Sequence, residues 1–163
     1  MIEDGVLAGR TDRDWMIGKD VVCSLRAAAL IIRNDCLLVA KSVNYDCYYT
    51  VGGGIEINET SEEAVLREVY EETGYKLEID RLAFIQERFI TIDNRQYHEI
   101  TFYYLMKEYP NMDISSDSST DLGTETLHWL PLNSLNDVYL VPNFLKTKDL
   151  NNISQLEHII SRE

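Results

Sequence analysis

Gly52-Gly53-Gly54-Ile55-Glu56-Ile57-Asn58-Glu59-Thr60-Ser61-Glu62-Glu63-Ala64-Val65-Leu66-Arg67-Glu68-Val69-Tyr70-Glu71-Glu72-Thr73-Gly74-Tyr75 is the stretch whose reading decides the fold. The aromatic and β-branched run Tyr48-Tyr49-Thr50-Val51 precedes it, which predicts a short strand feeding a glycine loop. Thr60 or Ser61 is an N-cap, Glu62 and Glu63 fall in the first turn, and Gly74 is a C′ residue, so the spacing predicts a helix of about three and a half turns. On such a helix Val65, Leu66, Val69 and Tyr70 gather on one arc, while Glu68, Glu71 and Glu72 fall within about 100° on the opposite side. Carboxylates three and four residues apart lie about 5 to 6 Å from each other and repel by a few tenths of a kcal/mol. A hard cation offsets that cost, and oxygen ligands at this spacing suit Mg²⁺ or Mn²⁺, which take further ligands from waters and substrate phosphates. Taken alone, the same pattern also describes an acidic solvent-facing helix surface.

Working outward, Ser24 to Ile32 and Leu37 to Lys41 read as strands joined by a tight turn at Arg33-Asn34-Asp35. Arg81 to Ile92 and His98 to Lys107 read as a second antiparallel pair around Asp93-Asn94. Pro110 to Gly123 is a polar, acidic loop, Thr126 to Leu130 returns as a strand, and Pro131 opens a short helix through Leu135. Residues 1–20 are expected to form a loose arm or an edge element, and residues 142–163 a helical tail, since Ile153, Leu156, Ile159 and Ile160 recur at helical spacing. With no internal repeat or linker, the 163 residues are expected to form a single domain.

Composition narrows the partners. Twenty-eight acidic residues against 15 basic ones give a net charge of -13, which opposes nucleic-acid backbones and anionic membranes. A small phosphorylated ligand is compatible with that charge when a divalent cation presents its phosphates. Apolar runs are too short for a membrane helix and Met1 to Asp4 lacks a secretory pattern, so a cytoplasmic location is expected. Cys23, Cys36 and Cys47 form no C-x-x-C and read as reduced structural thiols.

Residues 53–75 closely resemble the signature of the Nudix hydrolases, G-x5-E-x7-R-E-U-x-E-E-x-G-U, with Gly53, Glu59, Arg67, Glu68, Glu71, Glu72 and Gly74 all in place. The last position is Tyr75 where an aliphatic is usual, and Val51 stands where many relatives have Pro. Asn58 replaces a common Gly, and Asn tolerates the positive φ such a turn requires. The resemblance implies an α/β (α+β) fold, a Nudix-type α/β/α sandwich in which a mixed β-sheet lies between helices and carries a loop-helix-loop.

For the chemistry, the resemblance implies a Mg²⁺-dependent pyrophosphohydrolase, with Mn²⁺ as substitute, that cleaves a nucleoside diphosphate linked to another moiety X by attack of water on phosphorus. The metal set is Gly52 through its carbonyl, Glu59, Glu68, Glu71 and Glu72, with Arg67 ordering the carboxylates. The base is Glu68 or Glu72 within the signature, or Glu125 on a distant segment with Asp121 as second choice. His98 and Tyr48 are candidate substrate contacts, and Tyr45, Phe89, Tyr97 and Tyr139 are further rings able to stack on a base. The alternative within the family is a non-catalytic nucleotide sensor. A homodimer is compatible with the family. No proline follows Gly74 before Tyr109, and Thr91 and Ile92 stand where dinucleoside polyphosphate hydrolases carry a tyrosine, so nucleoside triphosphates, nucleotide sugars and ADP-ribose all stay open.

Overall fold

A computed structural model describes residues 14–16, 20–43, 46–114 and 125–163. The first strands are β1 Asp14–Met16, β2 Val21–Leu30, β3 Ile32–Arg33, β4 Cys36–Ser42, β5 Tyr48–Thr50 and β6 Gly52–Gly54. Helix α1, Ser61–Thr73, follows, then β7 Ile79–Ile92, β8 Arg95–Met106, β9 Glu125–Pro131, β10 Leu140–Val141 and β11 Glu157–Arg162. One sheet runs β1-β2-β8-β7-β11 with β6 also on β2, and the other runs β10-β5-β4-β3 with β9 also on β4. Both are mixed, since β2 and β8 are parallel, β7 and β8 antiparallel, and β10 and β5 parallel.

The turns form for the reasons the sequence offers. Asn34 and Asp35, and again Asp93 and Asn94, hold positive φ, the conformation a two-residue hairpin turn demands. The first hairpin is tight only at its tip, where β3 meets β4. Below that tip β2 leaves for the other sheet, so the two strands expected to pair along their length instead splay into different layers. Ala27, Ala29, Leu38 and Ala40 pack with Val65 and Val69 of α1 in one core cluster, while Leu30, Leu37, Val39 and Phe84 anchor a second. Leu37, Leu38, Val39 and Ala40 are all fully buried, as a strand covered on both faces must be.

Two expectations are corrected, and the edge element expected within residues 1–20 is present as β1. Gly52–Gly54 is not a loop: it is β6, antiparallel to β2 with Gly52 opposite Ala28 and Gly54 opposite Arg26. The tail at residues 142–163 is not an α-helix: it contains a 3-10 turn at Asn143–Thr147 and the strand β11, parallel to β7. Its spacing satisfied the helical period, but Ile159 packs inward and Ile160 is 61% exposed, the alternation of a strand. The arm at 1–20 supplies an edge strand, β1, on β2. The loop expected at Pro110 to Gly123 falls largely outside the described residues, as do Asp121 and Tyr45. No helix among the described residues is long and apolar enough to cross a membrane.

Candidate active site

Helix α1 begins and ends as its sequence dictates. Thr60 and Glu63 make a reciprocal capping box, with Glu63 N–H donating to Thr60 Oγ1 at 3.2 Å and Thr60 N–H donating to Glu63 Oε2 at 2.9 Å. Gly74 closes the helix in the left-handed conformation. Asn58 has φ 65°, the value expected of the residue that replaces Gly in the turn before Glu59.

The helix faces the sheet differently from the simple apolar arc. Ala64, Val65, Glu68 and Val69 are buried, whereas Leu66 is 38% and Tyr70 51% exposed. Rotating the helix this way leaves two apolar side chains in water and carries Glu68 inward against the glycine strand. A Cβ on Gly53 would lie 2.4 Å from Glu68 Oε1, so only a glycine leaves room for that carboxylate. At Gly52, with φ 146°, a Cβ would meet Ala27 O at 2.3 Å.

Arg67 is the hub of the loop and helix. Its Nε and Nη2 donate to the two oxygens of Glu59 at 2.7 and 2.9 Å, Nη1 donates to Glu68 at 2.7 Å, and Nη2 also reaches the carbonyl of Gly54 at 3.1 Å. Glu71 Oε2, on a half-exposed side chain, is 3.4 Å from Nη1. Such bidentate pairing uses the planar fork of arginine and raises its pKa further, mainly through the hydrogen bonds Arg67 donates to Glu59.

Glu72 sits one turn beyond Glu68. Its Oε1 accepts from Gly52 N–H at 3.0 Å, while Oε2 is out of solvent and has no hydrogen-bond partner among the described residues. Burial, together with the neighbouring Glu68 and Glu125, raises its pKa well above the ordinary value, against the opposing effects of Gly52 N–H and Arg26. Glu125, at the first position of β9, accepts a hydrogen bond from the Tyr49 hydroxyl, which burial and that carboxylate hold protonated. Glu68 and Glu72, named from the helix signature, and Glu125, named from a distant segment, thus belong to one electrostatic neighbourhood.

Among the described residues these carboxylates do not form a ready-made group of three metal ligands, because Arg67 holds Glu59 and Glu68 and Gly52 holds Glu72. The donor set nevertheless fits a hard divalent cation. It offers an inward, unpartnered carboxylate oxygen on Glu72, oxygen ligands only, and a glycine strand whose backbone a ligand can approach closely.

A cleft adjoins this acidic edge, lined by Gly52 and Gly53 and, farther along, by Arg26, Tyr49, Arg88 and Thr101. Tyr48 and His98 are not among its lining residues. Strand alternation turns Tyr49 into the cleft, while Tyr48 packs edge-on against His128 and under Lys41. His98 stacks on Phe89 at 4.3 Å, and its Nε2 lies 3.6 Å from Glu87. Arg26, Arg88, Thr101 and Tyr49 belong to none of the sequence motifs that mark candidate site residues. The available signal was the interruption of apolar strands by polar residues two apart, Gln86 with Arg88 and Glu99 with Thr101.

Fold and site together define an α+β domain whose acidic loop-helix-loop borders a cleft between two mixed sheets. The NUDIX domain model matches residues 24–149, and the chain belongs to the Nudix hydrolase family. It is 38% identical over 60 residues to a MutT-like protein of Streptomyces ambofaciens, a match covering 36% of this chain and 39% of that protein. The chain spans less than half the length of the curated relatives it matches. Its fold is similar to that of a MutT NUDIX hydrolase from Burkholderia pseudomallei, with TM-score 0.59 and 21% identity over 78% of this chain and 98% of that one. It is also similar to an ADP-ribose pyrophosphatase from Streptococcus suis, with TM-score 0.53 and 15% identity over 84% of this chain and 98% of that one.

Proposed function

We propose that this chain is a cytoplasmic, Mg²⁺-dependent pyrophosphohydrolase that cleaves a small nucleoside diphosphate derivative, of the nucleoside triphosphate, nucleotide sugar or ADP-ribose class. The observation that carries the reading is the buried, unpartnered Oε2 of Glu72 beside Glu68 and Glu125 at the edge of a cleft. An unpaired carboxylate oxygen in that position is costly in a purely structural element, and a ligand that supplies positive charge relieves the cost. Glu68, Glu71 and Glu72, with Glu59 and the carbonyl of Gly52, are the groups assigned to Mg²⁺, for which Mn²⁺ is the substitute. When bound, the cation polarises the phosphoryl oxygens and acidifies water. Arg67 positions Glu59 and Glu68 through its fork. Glu125 takes the proton of the attacking water, with its carboxylate oriented by the Tyr49 hydroxyl.

The test is phosphate or pyrophosphate release from nucleoside triphosphates, ADP-ribose, nucleotide sugars and dinucleoside polyphosphates with Mg²⁺ or Mn²⁺. Glu72→Gln is expected to lower kcat on the substrate so found by about 10² to 10³-fold, the scale for losing a principal charge-stabilising group. Glu125→Gln is expected to lower kcat while leaving Mg²⁺ affinity within a factor of about two. If no compound turns over yet a nucleotide raises the melting temperature, the sensing role replaces the catalytic one.

A further inference from the structure

The floor of the cleft carries charges that hydrolysis as described does not use. Cα partners run across the sheet as Ser24, Glu99, Arg88 and Ser161 in one row, with Arg26, Thr101 and Gln86 in the next. Arg88 is 3% exposed and Glu99 6%, and charges that deep persist only when paired. Arg26 Nε is 3.7 Å from Glu99 Oε2. Arg88 is bound at 3.2 and 2.6 Å, through Nε and Nη2, to the two oxygens of Glu163 just past β11.

Two guanidiniums therefore face one buried carboxylate, and the second counterion is of a different kind. The Glu163 side chain is 38% exposed, and its backbone N–H holds to Phe89 O at 2.9 Å. Both arginines line the cleft, and among the described residues Arg88 Nη1 and the Nη groups of Arg26 make no hydrogen bond. A fork with spare donors, closed by a carboxylate at the sheet edge, is an anion site filled by the protein itself.

We propose that Arg26 and Arg88 form an anion subsite of the cleft, and that Glu163 is the internal counterion displaced by a phosphate group of the substrate's X moiety. Carboxylate and phosphate both present two oxygens to a guanidinium fork, so the exchange keeps each buried arginine paired. A neutral X offers nothing to the fork and leaves Glu163 in place. Substrates in which X is a phosphate or carries one are therefore favoured over those ending in a neutral sugar. The substrate preference rests on the pyrophosphohydrolase reading, whereas the anion binding does not.

The experiment is calorimetric titration of inorganic tripolyphosphate into the protein in EDTA, for wild type, Glu163→Gln, Glu163→Gln with Arg26→Gln, and Glu163→Gln with Arg88→Gln. Removing a tethered competitor raises the fraction of competent sites, so Glu163→Gln is expected to bind about tenfold tighter than wild type. Either arginine substitution is expected to abolish the gain. The Arg88 double variant removes both members of one ion pair and leaves Arg26 with Glu99; should it not fold, the half-buried Arg26 decides. Equal affinity of wild type and Glu163→Gln, or a gain that survives the Arg26 substitution, overturns the proposal. In turnover, Glu163→Gln is expected to lower KM for a nucleoside triphosphate about tenfold and for a neutral-hexose nucleotide sugar less than twofold. If hydrolysis fails while the tripolyphosphate gain stands, the catalytic reading falls alone. If hydrolysis proceeds and Glu163→Gln changes nothing, the subsite falls alone.

Discussion

The acidic edge of α1 and the arginine floor of the cleft meet at Gly52 and Gly53 but are assembled in opposite ways. The edge is local: Glu59, Arg67, Glu68, Glu71 and Glu72 lie within 14 residues, and one arginine contacts three of those carboxylates, Glu59, Glu68 and Glu71. The floor is remote: Arg26, Arg88, Glu99 and Glu163 come from four places in the chain and meet only because β2, β8, β7 and β11 are neighbours in one sheet. In the edge, like charges are crowded and one inward oxygen is left without a partner. In the floor, opposite charges balance, and the most exposed member of the set completes the balance. The first arrangement has the chemistry proposed to take a cation, and the second pairs its arginines with the carboxylate proposed to be displaced.

The largest effects are expected where the two regions touch. A Cβ at Gly52 meets the backbone carbonyl of Ala27 and sits at φ 146°, so Gly52→Ala is expected to destabilise the fold by about 3 kcal/mol. The nearest atoms to a Cβ at Gly53 belong to the end of the Glu68 side chain. Gly53→Ala is therefore expected to keep the melting temperature within a few degrees while displacing Glu68 and lowering kcat/KM on the order of 10²-fold. Thermal melts and steady-state rates on the two variants separate a backbone constraint from a site constraint. Equal losses of stability would show that the acidic edge is no less structural than the strand beneath it.

This locality also explains what could be read from the sequence. Capping residues, the C′ glycine, Asn58 and the two Asn/Asp turns act on their own neighbours, so Thr60, Gly74 and the hairpin tips stand where the sequence puts them. The rotation of α1 was not legible, because Leu66 and Tyr70 extend the apolar arc in sequence but the sheet accepts Ala64 and Glu68 instead. The tail was not legible either: a short apolar run with Ile153, Leu156, Ile159 and Ile160 fits two periods, and pairing with β7 selects the strand. The floor depends on strand order, which no local pattern encodes. Arg26 and Arg88 are 62 positions apart in sequence and share a face only through β8.

A second, smaller effect tests whether the floor is held by its polar chain. Tyr103 Oη donates to Gln86 Oε1 at 2.9 Å, and Gln86 Nε2 donates to Ser161 Oγ at 2.8 Å, so the buried Gln86 links β8 to β11. Gln86→Leu strands a phenol and a hydroxyl, an expected loss of about 2 kcal/mol in denaturant unfolding. Because the link ends at β11, amide exchange there is expected to rise while exchange in α1 stays at its wild-type rate. A matching rise in α1 would mean that edge and floor unfold as one unit and that the contrast between them is chemical only.

The smallest effect lies at the start of α1 and acts on the acidic edge alone. Thr60→Ala removes the side chain that caps the helix, with an expected loss of about 1 kcal/mol. Hydrogen bonds from the Thr60 backbone N–H and hydroxyl lower the Glu63 pKa in the folded protein below its ordinary 4.5. A carboxylate whose folded pKa lies below its unfolded one binds fewer protons in the native state. Its stabilisation is therefore complete above the unfolded value and fades as the pH falls through the folded one. The stability difference between wild type and Glu63→Gln is accordingly expected to be constant near neutrality and to shrink below pH 4.5. Denaturant unfolding of both proteins down this range checks the sign, and a difference that widens on acidification would mean that Glu63 is repelled by Glu59 more than it is held by Thr60. That outcome would extend the crowding of like charges from Glu68 and Glu72 back through the first turn of α1.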